Sequence, residues 1–164
     1  ITTAKGEVLE QKTISKGVRV LDSGVAFIIS DILADNNARS LAFGPSSPLT
    51  IPGHRVSVKT GTSDNKRDNW TIGYTDDFVV TVWVGNNDNT PMSQTLASGI
   101  SGAAPIWHRI TTEMIKQRPS QEMKMPPTVV QLPCFGRNEY FLKESMNGEC
   151  RFSYSNRGFI NDEL

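Results

Sequence analysis

The alternation of apolar and polar residues changes period several times along the chain, and those changes outline its elements. Residues 1–13, ITTAKGEVLEQKT, alternate weakly around Lys5-Gly6, as a short hairpin does. From Asp22 the period lengthens. Asp22 or Ser23 can cap a helix whose Val25, Ile28, Ile29, Ile32 and Leu33 share one face, and the helix should end near Asp35-Asn36-Asn37. A loop rich in Gly, Pro and Ser, Phe43 to His54, leads into a strand over Arg55 to Thr60, where Val56 and Val58 alternate with Ser57 and Lys59. Asp64 to Asp68 is a polar turn, after which Trp70, Ile72 and Tyr74 alternate in a second strand. Phe78 to Val84 is the most apolar run in the chain and predicts a third strand buried on both faces. Short polar turns join the three into an antiparallel meander.

After Gly85 the turn residues of NNDNTPMSQTLASGISG predict a loop. A second helix is predicted over Ala103 to Lys116, with Pro105 in its first turn and Ile106, Trp107, Ile110, Met114 and Ile115 near one stripe; it should lie across the back of the meander. Beyond Arg118-Pro119 the helical period is lost, and Met125-Pro126-Pro127 marks a boundary into a cysteine-bearing tail. The expected organisation is therefore α+β, with one unit over residues 1–118 and a tail over 119–164.

Composition narrows the class without naming a function. The 164 residues suit one ordinary domain, and a hydrophobic fraction of 37% suits a soluble core. Lys+Arg 17 balances Asp+Glu 17, so nothing in the charge suggests nucleic acid or an anionic membrane surface. No apolar run is long enough to span a bilayer, and the N-terminus lacks the basic-then-apolar layout of a signal peptide. Because the chain begins at Ile1 rather than Met, it is expected to be a piece of something longer, with targeting and anchoring segments upstream.

The chemistry concentrates in Lys59-Thr60-Gly61-Thr62-Ser63. A lysine near the end of an edge strand, then Thr, Gly and Thr, offers a cation, two hydroxyls and a backbone that Gly61 leaves open to close approach. Those parts suit a carboxylate and a developing oxyanion: Lys59, Thr60 and Thr62 can hold the first, and the Thr62 N–H can meet the second. Arg67 and Asp68 either order the turn beside such a groove or form a solvated charged turn. Trp70, Trp83 and Trp107 read as core aromatics between sheet and helix. His54 and His108 have no third ligand nearby and read as structural or exposed, so no metal site is expected. Cys134 and Cys150 flank FGRNEYFLKESMNGE; they are either bridged, which would imply an oxidising compartment, or reduced and unrelated.

The Lys-Thr-Gly strand, followed by Thr62-Ser63, Arg67-Asp68-x-Trp70, Gly73-Tyr74-Thr75, Val82-Trp83-Val84-Gly85-Asn86, Pro91-Met92 and Ala103-Ala104-Pro105-Ile106-Trp107, resembles the class A penicillin-binding proteins, the bifunctional cell-wall synthases. The likeness runs in order from about Ile1 to Lys116, and the Cys134 to Cys150 tail looks like the extension some of them carry. It implies the C-terminal part of a penicillin-recognising serine transpeptidase domain, which cross-links D-Ala-D-Ala stem peptides of peptidoglycan, is acylated by β-lactams and uses no cofactor. It also implies that Lys59 and Thr62 serve catalysis, that Lys59 to Ser63 line the substrate, and that the site faces outward from the cytoplasmic membrane. That setting favours the Cys134–Cys150 bridge.

That family's transpeptidase also needs Ser-x-x-Lys and Ser-x-Asn motifs before the Lys-Thr-Gly strand. Neither occurs upstream of Lys59. Ser63-Asp64-Asn65 fits the second motif and Ser63-Asp64-Asn65-Lys66 the first, but both begin at one serine, follow the third motif and lie in a turn. Tyr154-Ser155-Asn156 resembles a variant second motif and lies in the tail. The chain alone is therefore expected to be inactive. An apolar strand edge at Phe78 to Val84 should be left for a second copy or for the missing N-terminal half of the domain. The rival readings are a non-catalytic binding module on the same scaffold, or a carboxypeptidase or β-lactamase relative.

Overall fold

A computed structural model describes residues 1–13, 17–93, 98–117, 123–134 and 136–145. Its centre is a three-stranded antiparallel sheet in the order β1 (Ser57–Thr62), β2 (Asp68–Tyr74), β3 (Val79–Gly85). The register pairs Lys59 with Ile72, Gly61 with Trp70 and Thr62 with Asn69, and on the other side Trp70 with Trp83 and Thr71 with Val82. The expected meander and the α+β class are both present. Lys-Thr-Gly-Thr lies inside β1, paired to its last residue, rather than running off the strand's end.

Side-chain alternation gives the sheet two unlike faces. Val58, Val80 and Val82 join Leu49, Ile51, Val56, Ala103, Ala104, Trp107 and Ile115 in the core. This is the face that the helix Ala103–Gln117 covers, packing on β2 and β3. Its buried stripe is Ala103, Ala104, Trp107, Thr111 and Ile115, whereas Ile106 and Ile110, expected in that stripe, face outward. Trp107 is fully buried and lies so close to the ladder that a Cβ on Gly73 would stand 2.3 Å from its Cζ2. Glycine here makes room for an indole ring.

The opposite face carries Trp70, Ile72, Val79 and Trp83, all exposed. Two expectations are corrected by this. The third strand is buried on one face only, because alternation puts Val79, Thr81 and Trp83 on the side away from the helix. Trp70 and Trp83 are not core residues for the same reason; they lie side by side with ring centroids 6.4 Å apart.

The N-terminal helix α1 (Ser23–Ala34) is capped by Asp22, whose carboxylate accepts from the Gly24 and Val25 amides. It crosses this second face at the Ser57–Tyr74 end: Ser57 Oγ donates to Ser30 O at 2.7 Å, and Ser30 Oγ and Tyr74 Oη share a 2.8 Å hydrogen bond. The buried residues of α1 are Gly24, Phe27, Ser30 and Ala34. The expected apolar face is thus turned out, with Ile29 and Ile32 exposed. Small and polar residues face the sheet because two serine hydroxyls and a tyrosine bond across that contact.

Asp35 ends α1 and caps a short α2 (Asn36–Phe43) by accepting from the Asn37 and Ala38 amides. Helical residues there were not expected, since the Asp-Asn-Asn run reads equally as a stop. The helix over Ala103–Gln117 is accordingly α3. At the N-terminus the hairpin is a single bridge, Thr2 with Val8, around Gly6 at φ +86°. Downstream, β4 (Val129–Cys134) and β5 (Arg137–Leu142) form a separate antiparallel pair. The pair docks on α1 through Phe27 and Tyr140, whose rings meet edge to face at 5.1 Å. Cys134 is buried and disulfide-bonded. Cys150 and the Tyr154-Ser155-Asn156 triplet lie outside the described residues.

Candidate functional site

β1 is an edge strand, hydrogen-bonded to β2 and to no other strand among the described residues. Ser63 N donates to Asp68 O at 3.0 Å. Along an antiparallel ladder the backbone groups of alternate residues point to the partner strand. Ser63, Gly61 and Lys59 therefore face β2, while the amides and carbonyls of Thr60 and Thr62 face the free edge. Side chains alternate at right angles to this. Lys59 emerges on the face shared with Trp70 and Ile72, and Thr60 and Thr62 emerge on the α3 face.

The two sets meet at the edge. Lys59 is exposed, and its Nζ donates to Thr60 O at 2.7 Å, which brings the ammonium round to the side where the Thr62 N–H emerges. Thr62 is exposed, and its Oγ1 accepts from Gly99 N at 3.0 Å. Thr60 is half-buried against the same Gly99. A cation, two hydroxyls and an outward amide thus line a short stretch of open strand. That set can take an anion.

Ser63 has a different position. Its Oγ donates to Asp68 Oδ2 at 2.9 Å and accepts from Asp68 N at 2.8 Å, closing the β1–β2 turn. Asp68 Oδ1 accepts from Trp83 Nε1 at 2.9 Å. The Trp83 and Ser63 donors hold the Asp68 carboxyl below the usual aspartate range. Asp64–Lys66 is a single 3-10 turn broken by Asn65 at φ 56°. It is no helix start that could carry a serine and a lysine on one face. Arg67 Nη1 donates to Asn89 O and Met92 N to Lys66 O, so Arg67 ties the turn to the loop after β3.

The histidines are apart from this edge. His108 Nδ1 bonds with Pro48 O at 2.9 Å, and His54 borders a cavity of about 540 Å³ with Asp31, Arg55, Tyr74 and Tyr140. That cavity sits at the opposite end of β1, and none of Lys59 to Thr62 lines it. Asp31 and Arg55 form an ion pair there. Among the described residues no group of His, Cys, Asp and Glu could hold a metal ion. Sequence reasoning missed Gly99, whose contact with Thr62 is made by a backbone amide 37 residues away and leaves no mark in side-chain pattern.

No family model matches the chain. It is 31% identical over 123 residues to penicillin-binding protein 1A of Pseudomonas aeruginosa, covering 73% of this chain and 14% of that protein. It is also 31% identical over 130 residues to penicillin-binding protein 1A of Neisseria lactamica, covering 78% and 15%. The crystal structure of penicillin-binding protein 1A from Haemophilus influenzae matches with a TM-score of 0.67 at 24% identity, over 87% of this chain and 25% of that one, which is a likeness of fold. The chain spans a small part of the length of the curated relatives it matches. Shared sequence over most of this chain and a shared fold lead to one conclusion: these residues are homologous to a part of penicillin-binding protein 1A.

Proposed function

We propose that the chain supplies the carboxylate-recognising wall of a serine D-Ala-D-Ala transpeptidase that cross-links peptidoglycan stem peptides and is acylated by β-lactams. The observation that carries this reading is the Lys59–Thr62 edge, where an ammonium and two hydroxyls surround an outward Thr62 N–H. Lys59, Thr60 and Thr62 hold the donor carboxylate, Gly61 and Ser63 flank it, and the Thr62 N–H meets the developing oxyanion. The nucleophilic serine comes from outside this chain, since Ser63 is engaged by Asp68 at both its proton and a lone pair.

The exposed Trp70, Ile72 and Trp83 face and the edge of β3, unpaired among the described residues, are where the remainder of such a domain, or a second copy, packs. The disulfide at Cys134 suits the extracytoplasmic side of the membrane. No helix among the described residues is long and apolar enough to cross a membrane, so in this reading the anchor lies outside them.

The test is a nuclear magnetic resonance titration of the 164-residue chain with N-acetyl-D-alanyl-D-alanine and with its C-terminal amide. Saturable shifts at Lys59 to Thr62 are expected with the acid and far weaker ones with the amide. Lys59→Ala should weaken the acid by about tenfold, the loss of one charge-assisted hydrogen bond. Equal binding of acid and amide would favour the non-catalytic binding module instead.

A further inference from the structure

The turn that leads into α3, residues 98–102, reaches the candidate strand from the face opposite Lys59. Gly99 N–H donates to Thr62 Oγ1 at 3.0 Å, and Gly99 O accepts from Ala104 N at 3.0 Å and from Thr71 Oγ1 at 3.3 Å. A Cβ on Gly99 would lie 2.8 Å from Thr60 Cβ and 3.3 Å from both Gly61 O and Trp70 O. The turn's backbone therefore lies flat on the β1–β2 ladder, at a distance that only glycine permits. It is braced on its other side as well: Gly102 N donates to Ser98 O at 2.8 Å, and a Cβ on Gly102 would meet the fully buried Asn69 at 2.4 Å.

A threonine hydroxyl has one proton and two lone pairs. Gly99 N–H occupies a lone pair of Thr62, and being a donor it cannot receive the Thr62 proton. The proton is left for an acceptor other than the Gly99 amide, and Thr62 is exposed to offer it to one from outside. Thr71, fully buried, fixes Gly99 by bonding to its carbonyl.

We infer that the 98–102 turn is the positioning element of the anion site: the Gly99 N–H sets the Thr62 hydroxyl as a donor, and Thr71 holds Gly99 in place. This rests on the reading of Lys59 to Thr62 as a carboxylate site and deepens it. Gly99 and Thr71 act through Thr62. They bias the edge toward a ligand that presents only acceptors, as a carboxylate does, and against the mixed donors and acceptors of a carboxamide.

The experiment is the same titration with N-acetyl-D-alanyl-D-alanine and its amide, on Gly99→Ala, Thr71→Val, Thr71→Ser and Thr62→Val. Gly99→Ala should weaken the acid about tenfold and Thr71→Val about threefold. Both should lower the preference for acid over amide, and Thr71→Ser should restore it. In Thr62→Val the Gly99 amide should shift and lose hydrogen-exchange protection while α3 amides stay protected. If Gly99→Ala does not fold, the isosteric Thr71→Val with its Ser rescue carries the test. Wild-type binding of the acid with unchanged affinity and preference in Thr71→Val would overturn the positioning role alone. Failure of the wild-type chain to bind the acid would overturn the carboxylate reading and this role with it.

Discussion

Asp68 joins the turn, the neighbouring strand and the candidate edge through one carboxylate. Trp83 Nε1 and Ser63 Oγ both donate to it, and those donors favour the charged form. A carboxyl whose folded pKa is depressed contributes stability that is fully present above its unfolded value and drains away as pH falls through the folded one. The Trp83 indole N–H resonance should therefore stay constant from neutral pH into the ordinary aspartate range and move only below it. Movement beginning well above that range would show that the indole does not report Asp68. At this scale the sequence was informative about which residues could bind an anion, because Lys, Thr and Gly carry that chemistry in their side chains or in the lack of one. It was silent on Gly99, which acts through backbone, and ambiguous on Ser63, whose engagement by Asp68 depends on a turn geometry that spacing alone does not specify.

Among the elements, the three strands of the sheet were legible from period and turn residues, α2 and the β4–β5 pair were not, and α1 and α3 were legible in extent but not in facing. Both α1 and α3 bear apolar residues around more than one stripe, so periodicity permits two orientations. Contacts choose between them. α1 turns Phe27 and Ser30 inward because Tyr140, Ser57 and Tyr74 complement them, leaving Ile29 and Ile32 outside. α3 turns Trp107 inward because Gly73 leaves space above β2. Gly73→Ala should accordingly destabilise the chain by roughly 1–3 kcal/mol, the range for overpacking a filled core. An unchanged urea midpoint would mean the indole moves aside without cost. The β4–β5 pair tests separately. A Cβ on Gly24 would stand 2.6 Å from Leu142 Cδ2 and 2.8 Å from Thr128 Oγ1, so Gly24→Ala should raise hydrogen exchange in β5 and spare β2. Equal loss of protection in both would show that hairpin and sheet open together.

In the molecule as a whole, one face of the sheet is closed by α3 and the other is only partly covered by α1. Trp70, Ile72, Val79 and Trp83 remain open beside a β3 edge that is unpaired among the described residues, a combination of apolar face and free backbone that favours association. Light scattering should show an average mass that rises with concentration; a monomeric mass at every concentration would count against an unfilled face. In the proposed reading this open face goes with the lack of Ser-x-x-Lys and Ser-x-Asn before Lys59, the covering layer and the nucleophile both being supplied from outside these residues. The most direct test of a recognition wall without its own nucleophile is intact-mass spectrometry of the 164-residue chain after incubation with a penicillin. The expected spectrum holds only the unmodified mass. A stable penicilloyl adduct, on Ser63 or on any other serine of this chain, would contradict it.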